Sequence, residues 1–242
     1  MQNLMKTLLA GVALATLAFS PASARLQLSI GVGAATFTCF DGQLSCDVSG
    51  GANNLLTIDQ TIGGAFVQIT LAQSTFGAVN SLQLSSSSIT NEGLAPITVK
   101  LLASDTGFDA PVTNIRNSAS LTFNDAVGSA QSMLQFWADP LNTQGANPNN
   151  TPGSLLETVF GTPLTDPDSF SGSNDAAFIA TSPFSMTEGA SLALRGGGSI
   201  TGFNQSMNTA VPEPSTWAML GIGFGFLAFV GYKRSRGPRF AI

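Results

Sequence analysis

The sequence predicts an all-β fold, an antiparallel β-sandwich or jelly-roll-like domain over residues 25–208, followed by one C-terminal transmembrane helix. Between Arg25 and Asn208, apolar residues recur at every second position more often than with a helical period. Segments rich in Gly, Pro, Asn and Asp separate these runs, as expected of short strands joined by turns. Only 10% of the residues are charged, and neutral polar residues take their place.

The alternation predicts strands along the whole of this region. In the segment "APITVKLLASD", for example, Ile97, Val99 and Leu101 share one face, while Thr98 and Lys100 share the other. The predicted strand-containing segments are 25–32, 65–73, 80–89, 95–105, 119–127, 175–186 and 190–200. The predicted turn segments are 49–54, 90–96, 104–111, 141–153 and 165–175. Many short strands with such turns are typical of sandwiches and jelly rolls.

Periodicity does not assign residues 125–139, "DAVGSAQSMLQFWAD", because a short helix and a buried strand fit the pattern equally at this length. The strand pattern of residues 121–123 leads into this segment, and Asp139-Pro140 ends it. These flanks favour a strand.

Cys39 and Cys46 predict one structural disulfide. Six residues separate them, and the Asp41-Gly42 pair between them is a hairpin signal. A turn about Gly42–Gln43 places the cysteines opposite each other on neighbouring strands, within disulfide range. The spacing differs from the two-residue spacing of thioredoxin-like redox motifs.

Residues 1–24 have the three parts of a secretory signal peptide. Lys6 supplies the positive part, Thr7–Phe19 is apolar, and Ala22-Ser23-Ala24 provides the small residues that signal peptidase reads. The apolar run is shorter than the roughly 20 residues of a spanning helix. We therefore expect signal peptidase to cleave after Ala24, so that the mature chain starts outside the cytoplasm.

The composition excludes several classes of function. The chain has no histidine, which removes Ser-His-Asp triads and the commonest general base and metal ligand. Between Arg25 and Val211 there are 4 basic and 13 acidic residues, a net charge of −9. A region this acidic repels phosphate backbones, so we expect no nucleic-acid binding.

The acidic residues provide weak candidates for chemistry. Two pairs close in sequence, Asp105 with Asp109 and Asp166 with Asp168, fall in the predicted turns, where carboxylates usually cap backbone amides. The stretch "DPDSFSG" resembles the start of a calcium loop, but Phe170 stands where an EF-hand has an oxygen ligand. We expect neither catalysis nor a metal or cofactor site here.

The C-terminal segment, residues 209–242, joins a proline-rich part to an apolar run and a basic end. Pro212 and Pro214 favour extended backbone in the residues before them. Trp217–Tyr232 is 16 residues without a charge, about 24 Å as a helix. Flanking residues extend the predicted transmembrane helix to 216–232.

The ends of this apolar run favour a membrane-spanning orientation. Trp217 and Tyr232 lie where amphipathic rings favour the two interfaces, and Gly221 and Gly225 form a small-residue motif of the kind that supports helix contacts. Basic residues that follow at 233–242 favour the cytoplasmic side. They are Lys233, Arg234, Arg236 and Arg239.

This order of parts resembles the PEP-CTERM sorting signal of Gram-negative envelope proteins. The resemblance covers about the last 32 residues, and its motif is Val211, Pro212, Glu213 and Pro214. It implies recognition by an exosortase, a multi-pass membrane cysteine protease or transpeptidase, in bacteria that produce exopolysaccharide and biofilm matrix. The extracellular domains of this family vary widely, so no catalytic residue carries over.

Together these features predict an exported protein that sits in the inner membrane with its ectodomain in the periplasm, and then reaches the cell surface or matrix after processing. We expect a structural or adhesive role rather than an enzyme. The alternative is a carbohydrate-binding module or weak glycan hydrolase, against which the single tryptophan of the body, Trp137, argues. The expected partners are exosortase, signal peptidase, membrane lipid and exopolysaccharide.

Replacing Pro212, Glu213 and Pro214 together by alanine is expected to prevent loss of the C-terminal segment, because the exosortase loses its recognition sequence. Immunoblotting of membrane and released fractions measures this, with Ser215→Ala as the control inside the same segment. Processing of the triple variant at the wild-type level would show that exosortase does not read this motif.

Overall fold

The structure, a computed structural model, describes residues 25–77, 79–145, 147, 149–209, 222 and 224. These residues form twelve strands, and all of their pairings are antiparallel. In chain order the strands are β1 Gln27–Val32, β2 Ala35–Phe40, β3 Leu55–Ile62, β4 Ala65–Thr75, β5 Ser81–Asn91, β6 Ile97–Phe108, β7 Val112–Asn124, β8 Ser132–Asp139, β9 Ser154–Gly161, β10 Asp168–Ala180, β11 Phe184–Leu194 and β12 Ser199–Thr209.

The strands form two six-stranded sheets with one hydrophobic core between them. Sheet A has the order β2-β1-β6-β11-β8-β9, and sheet B has the order β10-β7-β12-β5-β4-β3. Across the core, β11 packs on β5 and β12, and β6 packs on β4 and β5. The predicted all-β antiparallel sandwich is therefore confirmed for the described residues.

Side-chain alternation explains why most of these sequences form strands. In β7, Leu121 and Phe123 point into the core, whereas Ser120 before them and Thr122 between them lie on the outer face. β11 departs from this rule, because both of its faces are buried along most of its length. The long connection between β8 and β9 covers the outer face of sheet A there, and Gly145 donates its amide to Ser104 Oγ at 2.8 Å.

Several predicted boundaries were wrong. The single predicted segments 175–186 and 190–200 each contain parts of two strands, which turns at 181–183 and 195–198 separate. Residues 104–108 and 168–175 were predicted as turns, yet they lie in β6 and β10. Their Gly, Ser and Asp residues suggested turns, but the sheet pairs their backbones. Within the unassigned segment 125–139, the strand prediction is confirmed at Ser132–Asp139.

The disulfide between Cys39 and Cys46 is confirmed, with a Cα–Cα distance of 5.9 Å. The hairpin expected around it is wrong. Cys39 lies in β2 opposite Leu28 of β1, whereas Cys46 lies in a turn and belongs to no strand. The amides of Cys46 and Asp47 both donate to the carbonyl of Gln43 at 2.9 Å. The bond therefore closes a tight loop onto the end of a strand.

The alternation of strand direction places all connections at two ends. Odd-numbered strands run away from the end at which Thr209 lies, and even-numbered strands run towards it. We name this the exit end, and it carries the connections 41–54, 76–80, 109–111, 140–153 and 181–183. The opposite end, named the far end, carries 33–34, 63–64, 92–96, 125–131, 162–167 and 195–198. Because twelve is an even number, β1 begins at the end where β12 finishes.

Glu188 is a carboxyl group in the core without an ionic partner among the described residues. Glu188 of β11 is fully buried, and its side-chain oxygens accept no hydrogen bond of normal geometry there, although the Met207 amide lies close enough to favour the ionised form. Burial raises the pKa of Glu188 well above its ordinary value, and the Met207 amide opposes this only in part. The folded protein therefore keeps a proton that the unfolded chain releases.

Replacing both cysteines by serine is expected to lower the free energy of unfolding by about 2 kcal/mol, because the closed loop is short. Chemical denaturation under oxidising conditions measures the difference. Wild-type protein treated with a thiol reductant should match the double variant, and the reductant should leave the variant unchanged. Two free thiols in oxidised, unfolded wild-type protein would contradict the disulfide.

The raised pKa of Glu188 predicts that stability falls as pH rises above about 4.5, since the unfolded chain then loses a proton that the folded state holds. Glu188→Gln removes this dependence. Above pH 4.5 the wild-type unfolding free energy should fall more steeply with pH than that of the variant, by at most about 1.4 kcal/mol per pH unit, until the carboxyl group of the folded protein itself ionises. The exposed Glu92→Gln is the control, and identical pH profiles for wild type and Glu188→Gln would contradict the assignment.

Candidate functional site

Hydrogen bonds fix the point at which residues 210–242 leave the sandwich. The Thr209 amide donates to the Asn80 carbonyl at 2.9 Å, and the Asn80 amide donates to Thr209 Oγ1 at 3.0 Å. The Asn80 side chain donates to the Asp109 carbonyl at 2.8 Å and accepts from the Asp109 amide at 3.1 Å. Asn80 and Thr209 are both buried. The end of β12 is thus bound to two neighbouring connections.

A row of four phenylalanines joins the two sheets behind this point. The ring of Phe76 stacks on Phe108 with a centroid distance of 5.0 Å, and Phe108 contacts Phe184 at 5.8 Å. Phe178 contacts Phe184 at 5.3 Å. Phe108 and Phe184 belong to sheet A, and Phe178 belongs to sheet B. These contacts stabilise the exit end against separation of the sheets.

Buried carboxylates organise the connection between β2 and β3. Asp41 accepts from the amides of Asn53 and Asn54, at 3.2 and 2.8 Å. Asp47 accepts from the Gly42 amide and from the amide and hydroxyl of Ser49. Burial acts to raise the pKa of Asp47, but these hydrogen bonds outweigh it and leave the pKa below its ordinary value.

Two further carboxylates at the exit end also point inward. Asp139 accepts from the amides of Leu141 and Thr143, which outweigh burial and lower its pKa. Asp105 lies in β6 and accepts from the hydroxyl of Ser74 in β4 across the core. Burial raises the pKa of Asp105 to about 6. The side chains of Asp105 and Asp139 therefore accept hydrogen bonds inside the domain and do not extend into solvent.

Part of the outer face of sheet B, across β10, β7 and β12, is a surface of hydroxyl and amide groups, and Asp175 and Arg116 form the charged row next to it. Strand register aligns Ser171, Ser120 and Asn204 in one row across β10, β7 and β12. The next row aligns Ser173, Ser118 and Ser206. We name this the serine-rich face, and it comprises Ser118, Ser120, Thr122, Ser169, Ser171, Ser173, Asn204 and Ser206.

The serine-rich face is uncharged and forms a shallow depression of about 480 Å³. Ser118 Oγ lies 2.8 Å from Ser206 Oγ, and Thr122 Oγ1 lies 3.0 Å from Ser169 Oγ. A hydroxyl has one donor and two acceptor positions, so these pairs retain capacity for further hydrogen bonds. The face can therefore contact a hydroxyl-rich or amide-rich surface without desolvating a charge.

A groove of about 520 Å³ lies on the outer side of sheet A. Lys100 of β6 is the single charged residue among its described lining residues, and its Nζ donates to Asn149 Oδ1 at 2.7 Å. The other polar residues of the groove are Thr36, Thr38, Thr98 and Asn147. No carboxylate is among the described residues that line it.

Lys100 also borders a smaller cavity of about 220 Å³ that Trp137 lines. Trp137 of β8 lies against Gly189, where an added Cβ would come within 2.7 Å of the indole ring. Trp137 is only partly exposed, so its indole ring is not an open surface on which a sugar ring could stack.

The structure separates the two carboxylate pairs that the sequence suggested. Asp105 is buried, whereas Asp109 is exposed and takes part in the Asn80 hydrogen bonds through its backbone. Asp166 accepts from the Asp125 amide at 2.8 Å. Amides of Leu164 and its neighbours hold the pKa of Asp168 below its ordinary value. The carboxylates of Asp105, Asp166 and Asp168 therefore each have a structural hydrogen-bond role, and that of Asp109 is exposed.

The stretch that resembles the start of a calcium loop runs from the β9–β10 connection into a strand. Gly172 lies within β10, which begins at Asp168. In the described part of the chain, no group of three or more Cys, Asp and Glu side chains is placed to hold a metal ion.

The predicted signal peptide, residues 1–24, lies outside the described residues. The predicted sorting, anchoring and basic residues also lie outside them, namely Val211, Pro212, Glu213, Pro214, Trp217, Gly221, Gly225, Tyr232, Lys233, Arg234, Arg236 and Arg239. Among the residues that the structure describes, no helix is both long and apolar enough to span a bilayer.

Comparison with known proteins gives one informative match. The family described as "PEP-CTERM protein-sorting motif" matches residues 210–235. No curated protein is significantly similar to the chain.

Among solved structures, "Structure of infectious bursal disease virus Gx strain" shares 14% identity over 79% of this chain, with a TM-score of 0.28. The match spans about half of that viral chain, 52% of its length. Similarity at this level supports no conclusion about fold or function.

The matched residues begin directly after Thr209, where the hydrogen bonds with Asn80 fix the end of the sandwich. The family match agrees with the order of the Pro-Glu-Pro motif, the apolar run and the basic end in the sequence. The chain therefore carries a PEP-CTERM protein-sorting motif at residues 210–235, which identifies it as an exported protein of the cell envelope or surface with exosortase as its processing partner.

Proposed function

We propose that this protein is a non-enzymatic structural or adhesive component of the cell surface or exopolysaccharide matrix. The observation that supports this role is the serine-rich face, which offers rows of neutral hydrogen-bonding groups on three adjacent strands. Adjacent strands lie about 4.8 Å apart and alternate residues about 7 Å apart, so the donors and acceptors form a regular array. Such an array suits many weak contacts with a hydroxyl-rich polymer.

The route to the surface is part of the same proposal. Signal peptidase removes residues 1–24, and the helix at 216–232 holds the protein in the inner membrane with residues 25–208 in the periplasm. Exosortase then acts at the motif. The expected positions of the basic residues after the helix and of the signal peptide before Arg25 support this orientation.

We also propose that the protein is not an enzyme, and the hydrogen bonds and burial of its acidic residues support this. Of the acidic residues suggested for hydrolysis, Asp166 and Asp168 accept hydrogen bonds from backbone amides and Asp105 lies buried in the core. The Asp109 side chain is exposed. A carboxylate pair for glycoside hydrolysis needs two groups on opposite sides of a substrate groove. The described lining of the sheet A groove has none.

The second candidate function is that of a carbohydrate-binding module. The groove on sheet A favours it, because Lys100 and Asn149 provide a cation and an amide, and Trp137 lies on the other side of Lys100. This arrangement suits an anionic sugar unit. The groove and the serine-rich face lie on opposite faces of the sandwich, so single variants can separate the two functions.

Binding of the full-length protein to exopolysaccharide purified from the producing bacterium tests both candidates. Ser118→Glu with Ser171→Glu is expected to weaken co-sedimentation at least about tenfold, because burying a charge costs more than 1.4 kcal/mol. Ala130→Glu with Gln131→Glu adds the same charge in the exposed β7–β8 connection and should leave binding unchanged.

Lys100→Met separates the candidates in the same assay. Lys100→Met should leave binding unchanged if the serine-rich face binds the exopolysaccharide. Loss of binding in Lys100→Met alone would show that the sheet A groove, and not the serine-rich face, is the binding surface. Wild-type binding by both variants, or no binding by wild type, would contradict a matrix-adhesive role.

A further inference from the structure

The exposed apolar side chains of the sandwich are concentrated at the exit end. Of twelve large apolar residues exposed within the described part of residues 25–209, eight lie in the exit-end connections or within two residues of a strand terminus there. The other four lie at the far end. The exit-end set, named the apolar tips, is Phe40, Leu44, Val48, Phe76, Val79, Leu141, Leu155 and Ile179.

The charges follow the opposite distribution. Four of the five carboxylates at the exit end are buried, and Asp109 is exposed. At the far end, Glu92, Asp125 and Asp166 are exposed, and Asp168 is half-buried. Each end also has one exposed cation, Arg25 at the exit end and Arg195 at the far end. This end is therefore less acidic at its surface than the rest of the domain.

The covalent chain limits which end can meet a membrane. Eight Cα–Cα steps join Thr209 to Trp217, the first residue of the apolar run, and they span at most about 29 Å. β7 and β10 have 13 residues each, so the sandwich is roughly 40 Å long. With the apolar run in a bilayer, the far end cannot turn to the membrane, whereas the exit end stays within its reach.

We propose that the apolar tips are a membrane-contacting surface that rests in the lipid headgroup region until the exosortase acts. This rests on the proposed function, because the C-terminal helix supplies the tether. Buried carboxylates at Asp41, Asp47 and Asp139 hold the tip loops through backbone amides and keep negative charge away from the lipid. Apolar loops with little exposed negative charge favour an anionic bilayer surface.

Contact of the apolar tips with the membrane also affects processing by the exosortase. It keeps the exit end at the membrane surface, and therefore also residue 210, at which the motif begins. A surface of this kind presents the motif to a membrane-embedded enzyme in a restricted range of orientations. Removal of the helix then releases the tether, and the weak contact of the tips no longer suffices to hold the protein.

Tryptophan quenching in the full-length protein tests the proposal. The protein is reconstituted into vesicles of phosphatidylethanolamine and phosphatidylglycerol with brominated acyl chains. Leu44→Trp and Leu94→Trp are compared in a Trp217→Phe background, where Trp137 gives a constant signal from the body. Leu44 is 83% exposed at the exit end and Leu94 is 99% exposed at the far end, so both substitutions leave the core intact.

The expected result is a blue shift and strong quenching for Leu44→Trp, with neither for Leu94→Trp. Absence of quenching at Leu44→Trp overturns the proposal, and a blue shift without quenching overturns it in favour of contact with a second copy of the chain. Equal quenching of both reporters also overturns it, because orientation is then not fixed.

Trp217 tests membrane anchoring by the C-terminal helix separately from membrane contact by the apolar tips. Its emission is the difference between wild type and Trp217→Phe, and bilayer insertion predicts quenching of that difference. Quenching at Trp217 without quenching at Leu44→Trp leaves the anchoring in place and removes only the membrane-contacting surface. Without quenching at Trp217, the anchoring fails and the proposal about the apolar tips fails with it.

Discussion

Burial of one apolar face of each sheet against the other is the constraint on which the rest of this structure depends. Twelve antiparallel strands satisfy it, and strand direction alternates throughout. An even number of alternating strands brings the start of β1 and the end of β12 to one end of the sandwich. The position of residues 210–242 relative to the domain therefore follows from how the core is covered.

The exit end then has to satisfy its polar groups without exposing many charges. Asp41, Asp47 and Asp139 accept hydrogen bonds from backbone amides of the long connections, and Asn80 and Thr209 join the last strand to its neighbours. The disulfide at Cys39 closes the first of these connections onto β2. Buried polar groups must be paired, so these residues give order to loops that contribute little to the core.

The two outer faces of the sandwich are unlike each other. The β8–β9 connection covers part of sheet A, which leaves grooves beside Lys100. Sheet B stays open and presents aligned hydroxyl and amide side chains. The proposed contact role agrees with a chain that has no histidine and with carboxylates such as Asp41, Asp47 and Asp139 that bind backbone amides. The exported location given by the sorting motif agrees with surfaces of that kind.

The sequence by itself determined the local features: the period-two strands, the disulfide between Cys39 and Cys46, and the sorting motif at residues 210–235. Each depends on residues close together in the chain. It could not determine that Asp105 lies in a buried strand, that Cys46 lies in a turn, or that Ser120, Ser171 and Asn204 form one row. Only the tertiary structure decided these, because strand order and register depend on pairings between residues as far apart in the chain as Ser81 and Asn208, which no local pattern encodes.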